Sequence, residues 1–519
     1  MALKRSITTI SLLLAGIGGI IGSAWLFGPY YAAKIAGPAA IFSWVIGALM
    51  MSVIALTFAE LASAFPVAGG VVRFTHFSHG SLVSFTIAWI SWLSATTVAP
   101  IETLAIIQYT GNYFPILIRV SHDSHSLSGM GILFSAMVMF ILVLLNTAGS
   151  HHVTKTNAKI ILVKLAVPIL LIILLFARQF HITTFYQFGG FAPYGFKAIL
   201  IALPTAGIVA AFIGYDVAIQ MAGEAANPKK AIPIAVIGSI SICAVFYILI
   251  QIVFIGALFP KDLSHGWRYL SFAADAGPIV GLAAAVGLTW FVKIIYLNAL
   301  IAPFGTAFIY TASTGRINYA MSKNGYMPPI FQRLNKKGAP IYSIVLNFII
   351  GMIFFLPFPG WQSMITFLVS CFILAYAFGP IALVALRYKA PHTQRSFRLP
   401  FVRVFGFIAF YFCNLILYWT GWYTIWHMLL VIALGYIYLF IYWLFKRQTF
   451  ADFNCHHALW LLPYFIGFGV LSYLGSFKGG IGLLPFGWDF AVIFIFTLII
   501  FYWAVKASDL ETLIEEPII

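Results

Sequence analysis

Long apolar stretches, separated by short polar connections, follow one another along almost the whole chain. The hydrocarbon core of a bilayer is ~30 Å thick, and ~20 consecutive apolar residues in a helix cross it. The pattern therefore predicts an all-α integral membrane protein with about 14 transmembrane helices. They are expected at 10–36, 39–65, 83–113, 129–148, 158–177, 201–223, 234–259, 279–313, 341–357, 362–387, 401–420, 423–445, 458–475 and 487–505.

The composition favours a protein solvated by lipid. Of the 519 residues, 62% are hydrophobic and only 8% are charged, whereas a soluble domain carries about 25% charged residues. A chain this apolar cannot cover itself with a polar surface, so the lipid bilayer is its expected partner. The first apolar run follows Lys4 and Arg5 and is too long for the apolar region of a signal peptide. We interpret it as the first spanning helix.

The net charge of +16 is unevenly distributed. With the N-terminus placed in the cytoplasm, 20 of the 29 Lys and Arg residues fall in inside segments and six in outside segments. This bias follows the positive-inside rule and predicts an even number of spans with both termini cytoplasmic. It explains the basic excess without a nucleic-acid partner. The four cysteines show no metal-ligand spacing, so we expect no metal and no cofactor.

Two spans are interrupted by glycine and proline. The first carries a glycine-rich run that ends at Pro29, and the sixth runs from Pro204 through Gly207 and Gly214 to an acid, Asp216. One interpretation is close packing of helices through small residues. The other is a broken helix, whose freed backbone groups are tolerated only beside a cavity. The interrupted spans open two successive groups of five, which is typical of an inverted repeat with a binding site between its halves.

Five groups of motifs accompany these spans in a fixed order. They are 19–24 (GIIGSA) in the first span, 59–61 (AEL) with 65–66 (FP) and 69–70 (GG) after the second, 223–233 (GEAANPKKAIP) after the sixth, Arg316 with 319–321 (YAM) and 324–328 (NGYMP) after the eighth, and 386–387 (LR) with 395–400 (RSFRLP) after the tenth. In these motifs the chain resembles the amino acid–polyamine–organocation (APC) family over residues 10–400. The resemblance implies a secondary transporter with a five-plus-five inverted-repeat fold and broken helices 1 and 6.

The expected organisation follows from the spans and the motifs. The transporter core, two inverted five-helix repeats, is placed at 1–400. Four additional transmembrane helices follow at 401–506, and a short cytoplasmic tail at 507–519. Within the family the chain is most similar to the bacterial aspartate–proton symporters, in the stretches 22–27 (GSAWLF), 78–80 (SHG), 190–196 (GFAPYGF) and 474–477 (LGSF).

Two positions depart from the pattern of the family. The opening break often carries a third glycine where this chain has Ala24. The aromatic residue that many members place in the sixth span, as a cover over the substrate, is Ala210 here. Both changes bear on the shape and closure of the substrate site rather than on the fold.

The resemblance implies a substrate site at the two breaks. Gly22, Ser23 and Ala24 are expected to bind the substrate carboxylate through backbone N–H groups, since a helix N-terminus favours an anion. The substrate amino group would face backbone carbonyls of the sixth span. Those carbonyls belong to Phe212, Ile213 and Gly214. An aromatic substrate contact falls at Tyr310, where simple packing is an equal alternative.

Three intramembrane charges are candidates for proton coupling. Lys164 lies in the fifth span, too deep to reach either surface easily. The resemblance implies that its ammonium stands near the first break, where sodium-coupled relatives hold an ion; a structural role is the alternative. Asp216 is read either as a proton or amine site or as an acid bonded to nearby backbone. Glu102, close to Pro100 in the third span, is a second proton site or a partner for a lysine.

Six further charged residues each have two possible interpretations. Lys34 and Lys293 lie in the outer halves of their spans and either attract an acidic substrate or simply reach the interface. Charges at cytoplasmic helix ends either pair to close an inner gate or reflect topology alone. These are Glu60, Arg73, Glu224 and Arg316.

Together these features predict a proton-coupled symporter of the cell membrane. It would import aspartate or another acidic amino acid by alternating access. An amino acid exchanger and a non-transporting sensor of the same fold are the alternatives. A membrane-embedded enzyme is disfavoured, because no cluster of catalytic acids or metal ligands and no phosphate site occurs in a sizeable loop.

Overall fold

The protein is described from a computed structural model. It describes residues 7–67, 70–121, 124–147, 150–272, 277–356, 360–446 and 455–508. Almost all regular structure in these ranges is helical, and one β-hairpin pairs β1 (Ile118–Ser121) with β2 (Ser124–Leu127). The helices are α1 (Thr9–Ile20), α2 (Ala24–Ala36), α3 (Ala40–Ala64), α4 (Val71–Thr110), α5 (Gly129–Asn146), α6 (Ser150–Arg178), α7 (Gly195–Thr205), α8 (Asp216–Gln220), α9 (Pro228–Gly256), α10 (Pro278–Ala285), α11 (Thr289–Lys323), α12 (Ile341–Ile353), α13 (Trp361–Lys389), α14 (Val402–Trp419), α15 (Trp422–Lys446), α16 (Leu461–Leu474) and α17 (Trp488–Lys506).

The all-α membrane fold is confirmed. Within the described ranges, 11 stretches of helix are long and apolar enough to cross a membrane. The number 11 is smaller than the 14 expected spans because interrupted and shorter helices are counted differently. The stretch Ala24–Ala64 joins α2 to α3, and α1, α7 and α12 are shorter apolar helices. The count of 14, the split of the chain at residue 400 and the cytoplasmic position of the termini stay predictions, and the expected tail lies outside the described residues from 509 onward.

Both expected helix breaks are present. Helix α1 ends at Ile20 and α2 begins at Ala24, while α7 ends at Thr205 and α8 begins at Asp216. The two breaks touch through glycine. Gly214 has φ +135°, and a Cβ built on it would lie 2.4 Å from the backbone carbon of Gly19. Only a residue without a side chain allows this backbone-to-backbone approach, so the glycine pattern of the sequence reflects close contact as well as helix interruption.

Long helices surround the breaks. Helix α4 packs extensively against α11 and α13, α3 packs against α9, and α1 lies against α9 and α6. Helix α13 is buried over nearly all of its length. Helix α4 changes direction at Gly80, where φ is +77°. This arrangement leaves α4, α6, α11 and α13 facing the two breaks.

Candidate functional site

A cavity lies between the two breaks. Residues from both interrupted spans line it, together with residues of α4, α11 and α13. Its walls are mostly apolar, with a few hydroxyl groups and one carboxyl group. The lining residues are Gly19, Ile20, Gly22, Ser23, Ala24, Val98, Ile101, Glu102, Ala210, Ile213, Thr306, Tyr310, Ile365 and Leu368.

The start of α2 faces a carboxyl group of the protein itself. The backbone N–H of Ser23 donates to Glu102 Oε2 across 2.8 Å. A Cβ built on Gly22 would lie 2.3 Å from Glu102 Oε1, so glycine is what lets the carboxyl group reach this backbone. The helix N-terminus was expected to bind the carboxylate of a substrate. Glu102 lies at that place.

The end of α1 faces an ammonium group. Lys164 is fully buried, and its Nζ donates to the carbonyls of Gly18 and Ile21, each across 2.9 Å. It also donates to Thr306 Oγ1 at 2.6 Å. Thr306 Oγ1 lies 3.2 and 3.1 Å from the same two carbonyl oxygens, close enough to donate its proton to either of them. The last carbonyls of a helix carry partial negative charge, so a cation stabilises this end of the break.

A glycine on α11 makes room for the lysine. A Cβ built on Gly305 would lie 2.8 Å from Lys164 Cε. Any side chain there would push the lysine stem away from the break. Glu102 therefore places an acidic group at the N-terminus of α2, and Lys164 places a cation at the C-terminus of α1. Each group has the sign of charge that its helix terminus favours.

The sixth span contributes less than expected. Ile213 lines the cavity, and so does Ala210, where relatives place an aromatic residue. The ring of Phe212 instead packs away from the cavity, 6.0 Å from the ring of Trp44 and 5.9 Å from that of Tyr247. Gly214 contacts the backbone of the first break. Backbone carbonyls of these residues stay candidates for the amino group, but of the three residues only Ile213 lines the cavity.

Tyr310 separates the cavity from a second pocket. It lines the cavity, and its hydroxyl donates to Asp216 Oδ1 across 3.1 Å. Asp216 lines the second pocket and not the cavity. Its other oxygen accepts from Gln220 Nε2 at 2.9 Å. The expected neighbourhood of Asp216 and Tyr310 is present, with the acid one layer away from Gly22, Ser23 and Ala24.

The indole of Trp361 contacts Ser23, which lines the cavity, without lining the cavity itself. The Nε1–H of Trp361 donates to Ser23 Oγ at 2.8 Å. The ring stacks on Phe27 at 4.9 Å and on Tyr31 at 5.9 Å between centroids. It also approaches the sixth span, because a Cβ on Gly207 would lie 2.7 Å from it. The indole of Trp361, the first residue of α13, therefore joins the start of α2 to the sixth span.

The charges at the predicted cytoplasmic ends are paired. Arg316 Nη2 lies 3.2 Å from Glu224 Oε1. Glu60 is fully buried and accepts two hydrogen bonds from Arg387, at 2.9 and 2.7 Å. Arg395 lies 3.3 Å from the same carboxylate. These contacts join α3 and the end of the sixth span to α13 and α11.

The remaining charged candidates lie away from the cavity. Arg73 donates to Asn324 Oδ1 at 3.0 Å. Lys34 lies over the ring of Tyr30, 5.2 Å from its centroid, and Lys293 is exposed. None of these three lines the cavity, so an attraction of substrate by Lys34 or Lys293 stays a prediction.

Two residues of the site escaped sequence reasoning. Thr306 binds Lys164 and lines the cavity, and Trp361 donates to Ser23. A signal for Thr306 exists in the chain, since it lies four residues before Tyr310 and so on the same face of α11. Trp361 opens a helix after the short segment 357–360 (PFPG), where an interfacial aromatic belt explains the residue equally well.

Comparison with known proteins supports the resemblance over most of the chain. The amino acid permease family model matches residues 7–421. A glutamate/serine transporter of Bacillus subtilis is 38% identical over 511 residues, which cover 98% of this chain and 94% of the relative. An aspartate-proton symporter of the same bacterium is 35% identical over 505 residues, 96% of each chain. A branched-chain amino acid permease of that bacterium is 26% identical over 460 residues, 86% of this chain and 94% of the relative.

Proposed function

Because the chain belongs to the amino acid permease (APC) family, and is therefore a multi-pass membrane transporter of amino acids rather than an enzyme, we propose that it imports its substrate together with protons. It acts in the cell membrane with both termini in the cytoplasm. The backbone N–H groups of Gly22, Ser23 and Ala24 bind the substrate carboxylate. The backbone carbonyls at the break in the sixth span bind the amino group.

The hydrogen bond from Ser23 N to Glu102 carries this proposal. A substrate carboxylate and the Glu102 carboxylate compete for the same N–H groups at the start of α2, and two like charges in one apolar cavity repel each other strongly. A proton on Glu102 removes both the competition and the repulsion. Substrate binding is therefore linked to proton binding at the same place.

Lys164 places a positive charge at the end of α1, on the other side of the first break. Its three hydrogen bonds hold α1 to α6 and α11 through Gly18, Ile21 and Thr306. An ammonium group this buried can also release its proton when its partners move. Asp216 is the third titratable group, one layer away behind Tyr310. Alternating access then consists of rocking the broken spans against α4, α6, α11 and α13 around the cavity.

The substrate is an amino acid, and acidic amino acids are the first to test. The relatives named as a glutamate/serine transporter and as an aspartate-proton symporter support glutamate, aspartate and serine as candidates. An acidic side chain meets the apolar walls of Val98, Ile101 and Ile365. It would need hydrogen bonds from Thr306 and Tyr310, whose hydroxyl groups would first have to leave the backbone carbonyls of the first break and the carboxyl group of Asp216.

The test is uptake of labelled aspartate, glutamate and serine into proteoliposomes, with and without an inward proton gradient. We expect accumulation above equilibrium when the outside is acidic, and loss of that accumulation in Lys164→Ala. Lys336→Ala is the matched control, because Lys336 is exposed and outside the cavity. It should transport like the unchanged protein.

The other outcomes separate the alternatives. Uptake that requires amino acid preloaded inside the vesicles identifies an exchanger. Inhibition by neutral or cationic amino acids, but not by acidic ones, overturns the acidic substrate and keeps the transporter. Binding of amino acids without any flux, by protein shown to be folded, identifies a sensor.

A further inference from the structure

A second pocket lies beside the cavity, and three of its buried oxygens lack hydrogen-bond partners among the described residues. It is lined by residues of α4, α8, α11 and α13. Ser91, Gln220 and Tyr376 each place a buried oxygen in this region that makes no hydrogen bond to any described residue: Ser91 Oγ, Gln220 Oε1 and Tyr376 Oη. Buried polar atoms without partners cost free energy, so a pocket with several of them is suited to a polar ligand.

Among the described residues that line this pocket, the only charged group is an acid. Asp216 is 3% exposed and receives one hydrogen bond on each oxygen, from Tyr310 and from Gln220. Tyr376 lines the same pocket. A carboxyl group and the acceptors of Gln220 and Ser91 together attract a donor that carries positive charge.

Aromatic rings surround the same carboxyl group. Phe372 lies 5.8 Å from Tyr376 and 6.2 Å from Tyr310 between ring centroids. Tyr215 lies 5.2 Å from Tyr376. Ring faces attract organic cations, most of all where water is excluded. A small hard metal ion would instead require about six oxygen ligands, and the apolar and aromatic walls of this pocket do not provide them.

We propose that the second pocket is a transit site for the primary ammonium group of the amino acid. The site rests on the proposed transport function and adds a step to it. Tyr310 divides the two spaces, since it lines the cavity and bonds Asp216. When its hydroxyl leaves Oδ1, the carboxyl group becomes available to an ammonium group that leaves the cavity. Gln220, Ser91 and Tyr376 then supply the remaining hydrogen bonds and a ring face.

The test uses n-propylammonium chloride, which carries the ammonium group without a carboxylate. Its dissociation constant is measured on the purified full-length protein, against sodium chloride at equal ionic strength, beside the dissociation constant for the transported amino acid. Asp216→Asn removes the charge and should weaken the amine roughly tenfold or more, as expected for a charge-assisted hydrogen bond. Asp489→Asn is the matched control, because Asp489 is also buried but lies on α17. It should leave both constants unchanged.

A variant of the cavity distinguishes the two sites. Ala210 lines the cavity and not the second pocket, so Ala210→Trp should abolish amino acid binding and leave amine binding intact. If Asp216→Asn fails to fold, Tyr376→Phe should weaken the amine roughly two- to tenfold. Amine binding that is unaffected by Asp216→Asn and Tyr376→Phe, or lost in Ala210→Trp, overturns the second site. Amine binding that depends on Asp216 in a protein that carries no amino acid supports the site and overturns the proposed transport function.

Discussion

Glu102 Oε2 accepts a hydrogen bond from the backbone N–H of Ser23 across 2.8 Å. The two residues are 79 positions apart in the chain, and the contact places a buried carboxyl group at the N-terminus of α2. A helix N-terminus favours negative charge. A side chain of the protein itself therefore lies at the place expected for the carboxylate of a substrate.

Glu102→Gln is expected to uncouple transport from protons. The amide oxygen still accepts from Ser23, but no charge appears or disappears there with pH. In the unchanged protein the substrate dissociation constant should fall as pH falls, because proton uptake accompanies binding. In the variant this dependence should flatten, with exchange across the membrane retained and accumulation driven by a proton gradient lost. Binding and uptake measured between pH 5 and pH 8, the range in which the proton gradient is varied, give the answer.

Glu224→Gln is the control for that measurement, since Glu224 pairs with Arg316 away from the cavity. It should keep the pH dependence of the unchanged protein. A Glu102→Gln variant that still accumulates substrate on a proton gradient would contradict the role of Glu102.

The sequence predicted where the helices break, but not how far each residue is from the cavity. Glycine and proline marked both breaks because their backbone chemistry differs from that of every other residue. The ring of Phe212 and the carboxyl group of Asp216 lie outside the cavity. The sequence could not predict this, because an unwound segment has no periodicity from which the direction of a side chain can be read. Thr306 and Trp361 were missed for a related reason: their roles depend on contacts between helices that are distant in the chain.

Gly214→Ala is expected to destabilise the protein and stop transport. Its φ of +135° is unfavourable for any side chain, and the new Cβ would lie 2.4 Å from the backbone of Gly19. Strained backbone of this kind costs about 1–3 kcal/mol, and backbone atoms cannot move aside as a flexible side chain can. The apparent melting temperature in detergent should fall by several degrees, and uptake should be lost.

Gly129→Ala serves as the matched control, because nothing lies within 4 Å of a Cβ at that position. Its melting temperature and uptake should stay at the level of the unchanged protein. Equal melting temperatures for the two variants would show that the breaks do not touch as described.

Glu60→Gln is expected to be far more destabilising than Glu224→Gln. Glu60 is fully buried, and its loss of charge leaves Arg387 and Arg395 without their carboxylate. Removing one partner of a buried ion pair costs about 3–5 kcal/mol. The pair of Glu224 with Arg316 is partly exposed, with side chains 17% and 24% accessible, and such pairs contribute about 0–1 kcal/mol.

Thermal unfolding of both variants in the same detergent compares the two pairs directly. The apparent melting temperature should fall clearly for Glu60→Gln and little for Glu224→Gln. If transport is also followed, faster inward opening in Glu224→Gln would show that this pair closes the cytoplasmic side. Similar melting temperatures would mean that the charge on Glu60 is not essential to the contact between α3 and α13.

Trp361→Phe and Trp361→Ala are expected to separate two roles of one indole. The ring is 1% exposed, stacks on Phe27 and Tyr31, and donates from Nε1 to Ser23 Oγ. Phenylalanine keeps an aromatic ring beside Ser23 and loses the hydrogen bond, so KM should rise roughly two- to tenfold with little change in stability. Alanine also removes the ring and leaves a void, which costs about 3–5 kcal/mol for a buried tryptophan. Retention of labelled substrate should then fall as well.

Trp290→Ala is the control, because that ring is 58% exposed on α11. A Trp361→Phe variant with unchanged KM would mean that the contact with Ser23 does not act on the substrate site, and unchanged retention in Trp361→Ala would mean that the cavity is closed by other side chains.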